Sequence, residues 1–438
     1  MSSQKPLRFL VLSAYLPWHG HGGGLIVGNL LRQLSRKHSV TLLSSITPEE
    51  YKYLHEVEAS VSRLHLVNTA PIQRVELASS DQTNKVERNS WIRRYWRKLP
   101  QPLRQKIYLL RQAPEYLYSQ LKSVPSEIAE FQRGQFQNAL EILQHEQFDI
   151  VLAEWPEMGH FGLRLPGNML RVLDSIELRS ITYFRYASTN TRITKKIYWW
   201  VEGLKMRRYE KLLSRHYDIV TAVSTREAKI IESHRGKANI IVNPVGLELR
   251  SYPFIEENRQ DNRIVFLGRM SYGPNKDAVR YFLDQIYPQI KSQVQDIEFW
   301  VIGGSPPQDI LDLSGSNGIF VTGYVPNTQD YLSRGTIFVI PMRQGSGIKI
   351  KALEAMACGI PIVATPLGVE GIEVNDEAII SHNHEEFADQ VIALIHDTAK
   401  RRQLARKARA LIEKRYDCEL NVEILVDKYA QIMAQKNL

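Results

Sequence analysis

The segment PMRQGSGIKIKALEAMACGIPIVA, residues Pro341–Ala364, carries the clearest structural pattern in this sequence. It follows Ile337–Ile340, an apolar run that predicts a buried parallel strand. Its glycines then predict a loop, and residues 350–358 predict a helix. Gly359 is placed to end that helix in a left-handed conformation, and Pro361 prevents its continuation into the next apolar run. A strand, a glycine loop, a short helix and a strand in this order are typical of an α/β domain.

The loop before this helix suits an anion. Its glycines allow backbone N–H groups and the positive end of the helix dipole to point at one place, which favours a phosphate. Lys349 and Lys351 would add mobile cations there, and Glu354 within the helix would accept hydrogen bonds from sugar hydroxyls. The segment therefore predicts a site for a nucleotide or a nucleotide sugar. The competing interpretation is that Glu354 is a surface residue paired with Lys351 at i,i+3 spacing.

The run KALEAMACGIPIVAT resembles the signature of family 4 of the retaining glycosyltransferases, which have the two-Rossmann GT-B fold. The resemblance implies that Glu354 binds the ribose of the nucleotide. Many members carry a second acid eight residues earlier, which holds the donor sugar, and Ser346 stands at that position here. The resemblance then implies that the loop acts through Ser346 and its backbone N–H groups.

Composition limits the classes of protein that the chain can be. Its 438 residues allow two or three domains, and no run reaches the roughly 18 apolar residues that a membrane helix needs. Two cysteines, Cys358 and Cys418, exclude a disulfide framework and a cysteine metal cluster. We therefore expect a cytoplasmic protein. The net charge of +9 fits an anionic ligand and an anionic membrane surface, and charge alone does not exclude nucleic acid.

The first half of the chain opens with a second glycine loop. An apolar strand at Leu7–Ala14, a helix after the loop and a strand at Ser39–Ser44 predict a βαβ unit. The loop does not have the G-x-G-x-x-G spacing, which argues against a nicotinamide enzyme. In the family that the chain resembles, this loop faces the cleft near the diphosphate and the acceptor, whereas a plain tight turn is the alternative. The residues concerned are Gly22, Gly23 and Gly24.

The α/β rhythm breaks at about 68–135, where we expect a basic helical insertion. Lys85–Arg111 holds nine cations and one acid, with tryptophans at helical spacing. This composition suits a membrane interface or a lipid-linked acceptor. A solvated insertion whose aromatic rings pack on the domain is an equal alternative, and single-stranded nucleic acid is a third. Arg192–Arg215 is a second basic helix with aromatic residues.

Acidic residues follow two predicted strands of the first domain, at the edge where α/β sheets bind ligands. Glu154 and Asp174 are accordingly candidates for an acceptor site. For each residue taken alone, a role as a capping or loop residue is the favoured interpretation. Three further candidates follow the same strands, namely Glu157, His160 and Glu177.

In the second domain, the strand at Arg263–Gly268 ends in a Gly-Arg pair. The resemblance implies that Arg269 and a nearby lysine, Lys276, bind the donor diphosphate. An arginine suits this role because its guanidinium makes bidentate contacts. The resemblance also places the nucleobase beside Tyr324 and Val325. The predicted donor site consists of Gly268, Arg269, Lys276, Tyr324, Val325, Gly345, Ser346, Gly347, Ile348, Lys349 and Glu354.

We therefore predict an α/β protein of two Rossmann-like domains that face each other across a cleft. The domains are 1–245 for the acceptor, 246–415 for the nucleotide-sugar donor, and a helix at 416–438 that crosses back to the first domain.

The resemblance implies transfer of a sugar from a nucleotide-diphosphate donor to a hydroxyl acceptor with retention, in surface polysaccharide or glycolipid assembly. Arg269, Lys349 and Glu354 are the predicted catalytic residues. The sequence contains no Asp-x-Asp pair, so we expect neither a bound metal nor a cofactor. The expected partners are the donor, a glycan or lipid-linked acceptor and the inner face of an anionic membrane, without nucleic acid. An inactive nucleotide-sugar or glycan-binding protein, an epimerase and a nucleic-acid-binding protein are the alternatives.

Overall fold

The structure is a computed structural model. It describes residues 5–18, 22–68, 125, 128, 135–234, 236–256, 262–345 and 347–437. The predicted insertion, with its basic stretch Lys85–Arg111, therefore lies almost entirely outside the described residues, and Ser346 lies outside them too. No helix in the described ranges is both long and apolar enough to cross a membrane.

The first domain is a parallel sheet that has seven strands in the described part of the chain, in the order β3-β2-β1-β4-β5-β6-β7. The strands are β1 (Arg8–Ser13), β2 (Ser39–Ile46), β3 (Arg63–Asn68), β4 (Ile150–Glu154), β5 (Leu170–Ser175), β6 (Ile219–Ala222) and β7 (Asn239–Val242). The helices are α1 (Gly22–Ser35), α2 (Leu54–Glu58), α3 (Gln135–Leu143), α4 (Trp155–Gly162), α5 (Arg179–Thr189), α6 (Ile193–His216) and α7 (Thr225–Ser233).

The second domain is a parallel sheet that shows six strands among the described residues, in the order β10-β9-β8-β11-β12-β13. The strands are β8 (Arg263–Leu267), β9 (Glu298–Ile302), β10 (Ile319–Gly323), β11 (Ile337–Ile340), β12 (Ile362–Ala364) and β13 (Ile379–Ile380). The helices are α8 (Gly273–Tyr281), which continues through a π-helical turn into α9 (Tyr287–Gln293), α10 (Gln308–Leu311), α11 (Gln329–Leu332), α12 (Ile350–Ala357), α13 (His384–His396), α14 (Thr398–Arg415) and α15 (Cys418–Lys436).

The two sheets confirm the predicted fold of two Rossmann-like domains. Parallel strands are covered on both faces, so their sequences are continuous apolar runs, and β11 is buried at every residue. The ends of the strands predicted above differ from the observed ends by at most two residues. Strand β10 ends at Gly323, where this glycine has a φ of 70° and the register with β9 shifts.

The last helix, α15, lies against the first domain. Lys37 of the first domain pairs with Glu423 of α15 at 2.5 Å. Leu247 pairs with Asp417 in an isolated parallel bridge just before the helix begins. Tyr429, with 1% of its surface exposed, joins the core that also contains Phe9 and Leu152 of the first sheet. The first domain is therefore completed by a helix that follows the second.

The strands β8 and β9 end in glycines that approach each other closely. The Gly268 N–H donates to the Ile302 carbonyl at 2.9 Å, and Gly303 follows with a φ of 142°. A Cβ atom on Gly303 would overlap the carbonyl oxygen of Gly268. Only glycine fits at this position, and the close approach sets the shape of the turn that follows β8.

We expect Gly303→Ala to lower the free energy of unfolding by roughly 2 kcal/mol or more, because it adds a backbone clash to a strained φ. Gly315→Ala is the matched control, since Gly315 has a φ of 84° but no atom lies within 4 Å of the place that its Cβ would take. The control should lose only about 1 kcal/mol. Urea unfolding of both variants measures the difference, and equal losses would contradict the argument.

Candidate functional site

The site lies where the strand order of the second sheet reverses. Strands β8 and β11 are neighbours there, and the chain leaves them in opposite directions. Such a reversal opens a crevice beyond the carboxyl ends of the strands, and α/β sheets bind ligands in it. Here β8 leads into the Gly268–Arg269 turn, and β11 leads into the glycine loop before α12. The two segments that the sequence singles out therefore meet at one place.

The glycine loop is shaped by two residues in the left-handed region. Gly345 has a φ of 104° and Gly347 a φ of 67°, which other residue types rarely adopt. A Cβ atom on Gly345 would lie 3.3 Å from the Tyr272 hydroxyl and 3.5 Å from Pro274. The loop thus packs against the start of α8. The segment after β8, the start of α8 and the loop after β11 therefore form one wall of the crevice.

Lys351 joins these segments. Its Nζ donates to Asn275 Oδ1 at 2.6 Å, and Asn275 Nδ2 donates to the Arg269 carbonyl at 2.8 Å. The ammonium also lies 4.4 Å from the centroid of the Phe266 ring. Burial and the charge of Lys349 together lower the pKa of Lys351 to about 7, against the opposing effect of Glu354. A Cβ atom on Gly268 would come within 2.7 Å of this ammonium, so the glycine leaves it room.

Lys349 is the second cation of the wall, and it is not the mobile side chain expected from the sequence. It is 7% exposed, and its Nζ donates to the Gly347 carbonyl at 2.6 Å. Burial lowers the pKa of Lys349 to about 8. Glu370 opposes this shift, whereas Arg185 adds to it. An anion entering the crevice would meet two lysines whose charged forms lack full hydration, and it would stabilise both.

Glu354 of α12 is held by a residue from the segment that links the domains. The Tyr252 hydroxyl donates to Glu354 Oε1 at 2.9 Å, and Arg409 donates to the Tyr252 carbonyl at 2.8 Å. Burial raises the pKa of Glu354 to about 7, while the hydrogen bond from Tyr252 and the charge of Lys351 oppose the shift. Since Lys351 donates to Asn275, the alternative of a surface Glu354–Lys351 pair does not describe this structure.

The remaining predicted donor residues lie around this wall with more exposed side chains. Arg269 is exposed at the turn after β8, and Lys276 is partly exposed in the first turn of α8. Tyr324 is 77% exposed, and a Cβ atom built on Gly304 would lie 3.5 Å from the Tyr324 Cβ. Val325 packs against the core.

The first domain faces this wall across a cleft. A Cβ atom on Gly22, at the start of α1, would lie 3.0 Å from Ile350 at the start of α12. Of the other glycines of that loop, Gly24 is buried and Gly23 is partly buried. Glu177 lies opposite the glycine loop, with its Cδ 3.8 Å from a Cβ built on Gly347. A residue of the first domain thus presents a carboxylate to the predicted donor loop.

An ion-pair network joins the two domains beside the same loop. Arg185 of α5 donates to the Gly345 carbonyl at 2.5 Å and makes a bidentate pair with Glu370, with both distances 2.8 Å. Arg226 of α7 also donates to Glu370, at 2.6 Å. These cations lower the pKa of Glu370 against the opposing effect of its burial. The carbonyl contact fixes the glycine loop from the opposite domain.

Carboxyls on the first-domain side of the cleft are crowded. Burial raises the pKa of Glu227 to about 8, and the charges of Glu177, Glu210 and Glu370 add to the shift. Burial also raises the pKa of Glu210 to about 7, although it accepts a hydrogen bond from the Ser180 hydroxyl at 2.6 Å. The crowding therefore disfavours the charged forms of these carboxyls.

Glu154 and Asp174, predicted as acceptor-site residues, are not open to the cleft. They are register partners on β4 and β5 with exposures of 0% and 5%, and α15 covers them. Burial and the neighbouring Asp174 carboxyl raise the pKa of Glu154 well above its ordinary value. Burial and both carboxyls raise the pKa of Tyr429 as well. Burial raises the pKa of Asp174 as well, so the two acids form a buried pair with raised pKa values inside the first domain.

The residues after β4 contact Arg179, which in turn pairs with Glu177. Trp155 has a φ of 68°, an uncommon conformation for a bulky residue that marks local strain. Arg179 lies 4.9 Å from the Trp155 ring, 3.1 Å from Glu157 and 3.7 Å from Glu177. Burial lowers the pKa of His160 to about 4, so this ring is neutral. Among the further acceptor candidates, Glu177 lies beside the glycine loop at the cleft, whereas Glu157 is fully buried.

The described ranges contain no cluster of side chains that could bind a metal ion. No group of three or more His, Cys, Asp or Glu side chains is arranged there to hold an ion.

Comparison with known proteins adds the family. Residues 261–397 match the family model described as Glycosyl transferases group 1. Most of the second domain is therefore similar to the group 1 glycosyltransferases. The match covers the wall described above from the start of β8 through α12, and the two-domain architecture of the chain is the GT-B fold.

Similar proteins cover different shares of the chain. An uncharacterized 44.6 kDa protein in the cps region of Klebsiella pneumoniae is 20% identical over 292 residues, 63% of this chain and 73% of that protein. A phosphatidyl-myo-inositol mannosyltransferase of Propionibacterium freudenreichii is 28% identical over 177 residues, 38% of this chain and 43% of that enzyme. The structure of Anabaena HepE with UDP-glucose is 14% identical with a TM-score of 0.62, and the match covers 97% of this chain and 100% of HepE.

Several residues of this site were not predicted from the sequence. Asn275 lies within the wall, next to the predicted Lys276, whereas Tyr252, Arg185 and Glu370 contact the wall from other segments. Their sequence neighbourhoods carry no motif. Lys351 is absent from the predicted donor site, although its spacing from Glu354 places it on the same helix.

We expect Arg185→Ala to loosen the glycine loop, because it removes the contact to the Gly345 carbonyl. Hydrogen exchange of backbone amides in residues 343–350 should become faster, and the free energy of unfolding should fall by about 2 kcal/mol. Arg226→Ala is the matched control, because Arg226 contacts Glu370 but has no described contact with the loop. The control should leave loop exchange unchanged. Equal exchange in both variants would show that Arg185 does not hold the loop.

Proposed function

We propose that this protein transfers a sugar from a nucleotide-diphosphate donor to a hydroxyl group of an acceptor. The observation that carries the proposal is the wall formed by Lys349, Lys351, Asn275 and the Gly268–Arg269 turn, with Glu354 at its inner end. It combines under-hydrated cations for a diphosphate with a carboxylate for sugar hydroxyls. Few ligands other than a nucleotide or nucleotide sugar need both in one crevice.

The donor would bind with its diphosphate at the turn after β8. Arg269 and Lys276 are exposed enough to reach it, while Lys349 and Lys351 meet it from the start of α12. Glu354, already oriented by Tyr252, would accept hydrogen bonds from the ribose. Tyr324 and Val325 would flank the base. This arrangement is the one that the family resemblance implies, with Lys351 and Asn275 added.

Catalysis would depend on stabilising the departing diphosphate. Negative charge develops on it as the glycosidic bond breaks, and fixed cations in a crevice of low dielectric stabilise such charge strongly. Arg269, Lys349 and Lys351 supply these cations without a metal ion. Closure of the two domains over the donor would exclude water and limit hydrolysis.

Retention of the anomeric configuration is part of the proposal. Glu177 faces the glycine loop from the first domain, where Arg179 and the Thr182 hydroxyl hold it. It is placed to accept a hydrogen bond from an incoming acceptor hydroxyl. A same-face displacement assisted by the leaving phosphate then needs no second carboxylate as nucleophile.

The acceptor that we propose is a glycan or a lipid-linked glycan in surface polysaccharide or glycolipid assembly, at the cytoplasmic face of a membrane. Two similar proteins support this setting, since one lies in a cps region and the other is a phosphatidyl-myo-inositol mannosyltransferase.

A second candidate is an inactive protein that binds a nucleotide sugar. Ser346 favours it, since many family members have an acid at that position. Both candidates predict donor binding, but only the first predicts release of free sugar and nucleotide when the donor is incubated without acceptor. Absence of that hydrolysis and of transfer to any glycan would favour the second candidate.

We expect one family of nucleotides to raise the melting temperature of the wild type, and this effect to shrink in Glu354→Gln. The panel consists of UDP, GDP, dTDP and ADP with their common sugar conjugates. Loss of a charge-assisted hydrogen bond to the ribose should weaken binding roughly tenfold or more. Asp389→Asn, which changes an exposed acid of α13, is the control. Equal shifts in all three proteins would remove Glu354 from the donor site.

Binding of the nucleoside diphosphate should weaken as the pH rises. The pKa of Lys351 is about 7 and that of Lys349 about 8 in the free protein, so both lose charge above these values. A bound diphosphate favours the charged forms and raises both pKa values, so binding takes up protons. The terminal phosphate, with a pKa of roughly 6, is already ionised there and does not oppose this trend.

We expect affinity to fall about tenfold between about pH 6.5 and about pH 9. Calorimetric titration in buffers of different ionisation enthalpy measures both the affinity and the protons taken up. Lys351→Met should bind more weakly and show a smaller dependence on pH, whereas Lys229→Met, at an exposed position of α7, should resemble the wild type. Affinity that rises with pH would contradict the placement of the diphosphate beside these lysines.

A further inference from the structure

Helix α6 carries an exposed stripe that the proposed sugar transfer does not use. Four large apolar side chains at spacings of four, three and four residues are exposed: Ile193 by 68%, Ile197 by 58%, Trp200 by 54% and Leu204 by 37%. This spacing places them on one face of a helix. Exposed large apolar side chains are common singly, but four in a row on one helical face form a patch.

The same face continues as a basic stripe. The next exposed side chains along it are Arg207, Arg208, Lys211 and Arg215. Together the two halves extend over 23 residues of the helix, about 33 Å. The described side chains of this face include no carboxylate, so its charge is entirely positive.

The opposite face of α6 is fixed in the first domain. The Trp199 ring lies 5.3 Å from that of Tyr183 and 5.2 Å from that of Tyr186. Both acids of the helix point inward, where Glu202 accepts from Lys205 at 2.9 Å and Glu210 accepts from Ser180. Adjacent tryptophans thus have different environments, with Trp199 packed and Trp200 exposed. The stripe is a rigid surface of a docked helix.

We propose that this stripe, Ile193 to Arg215, binds the surface of an anionic lipid bilayer. The apolar half would enter the interface between headgroups and acyl chains, and the basic half would contact lipid phosphates. The charge of the stripe favours this partner over a second copy of the chain, because the copy would bring the same cations without a carboxylate to neutralise them.

The position of the stripe relative to the cleft fits a membrane-bound acceptor. Helix α6 packs against α5, and Phe184 of α5 lies against Gly203 of α6. The next residue of α5, Arg185, contacts the glycine loop of the donor domain. The bilayer-facing stripe is therefore separated from the cleft by a single helix. The surface binds lipid whether or not the site transfers sugar, so the two proposals are tested separately.

Sedimentation of the full chain with unilamellar vesicles tests the proposal. The vesicles are made of phosphatidylcholine alone or with roughly 30% phosphatidylglycerol. We expect binding to the anionic vesicles that weakens with added salt. We expect at least about a tenfold loss of binding in each of two double variants, Ile197→Asp/Trp200→Asp and Arg207→Glu/Lys211→Glu.

Matched controls change equally exposed residues elsewhere. Ile142→Asp alters an exposed apolar side chain of α3, with 69% of its surface exposed, and Lys400→Glu/Arg402→Glu alters two exposed cations of α14. Both controls should bind vesicles like the wild type. The shift in melting temperature on adding UDP is measured for every variant, so loss of donor binding is seen apart from loss of lipid binding.

Three results would overturn the proposal. The first is no binding of the wild type to anionic vesicles, and the second is unchanged binding of both double variants. The third is a dimer of the wild type that Ile197→Asp/Trp200→Asp converts to a monomer without a change in vesicle binding, since this assigns the face to a second copy. Vesicle binding lost in the double variants and kept in the controls supports the proposal.

Discussion

The second domain keeps two ammonium groups at the start of one short helix partly out of water. Removing a charge from water costs free energy unless other groups replace the lost hydration. The described replacements include a carbonyl for Lys349, and an amide oxygen with an aromatic ring for Lys351. Both pKa values fall as a result. The fold tolerates this cost because the surrounding sheet and loop position the lysines where an anion restores what they have lost.

The same constraint explains the geometry of the neighbouring segments. Asn275 is buried because it must bridge Lys351 and the Arg269 carbonyl, and glycine is required at Gly268 to leave space for the ammonium. Glu354 has a raised pKa in the same environment, so Tyr252 is needed to hold its carboxyl in one orientation. The two lysines and Glu354 are thus oriented before a ligand binds, so binding requires little reorganisation of these side chains.

Much of this could be predicted from the sequence, and for a physical reason. Buried parallel strands are apolar on both faces, and glycines with positive φ stand at fixed places between them, so the positions of the strands along the chain and the two loops follow from local patterns. Side-chain environments depend on distant segments instead. Lys349 folds back on its own loop, and Glu154 is buried beneath a helix from the other end of the chain. The Arg185–Glu370 pair joins residues 185 positions apart, which no local pattern indicates.

The position of α15 has a consequence for how the protein is made. Tyr429 and its neighbours Leu425 and Val426 belong to the core of the first domain, where they cover the ends of β4 and β5. A ribosome synthesises these residues only after it has completed the second domain. The first domain therefore leaves an apolar face and two carboxyls uncovered during the synthesis of nearly two hundred residues. Domains usually fold in the order of their synthesis, but here the first to emerge is the last to be finished.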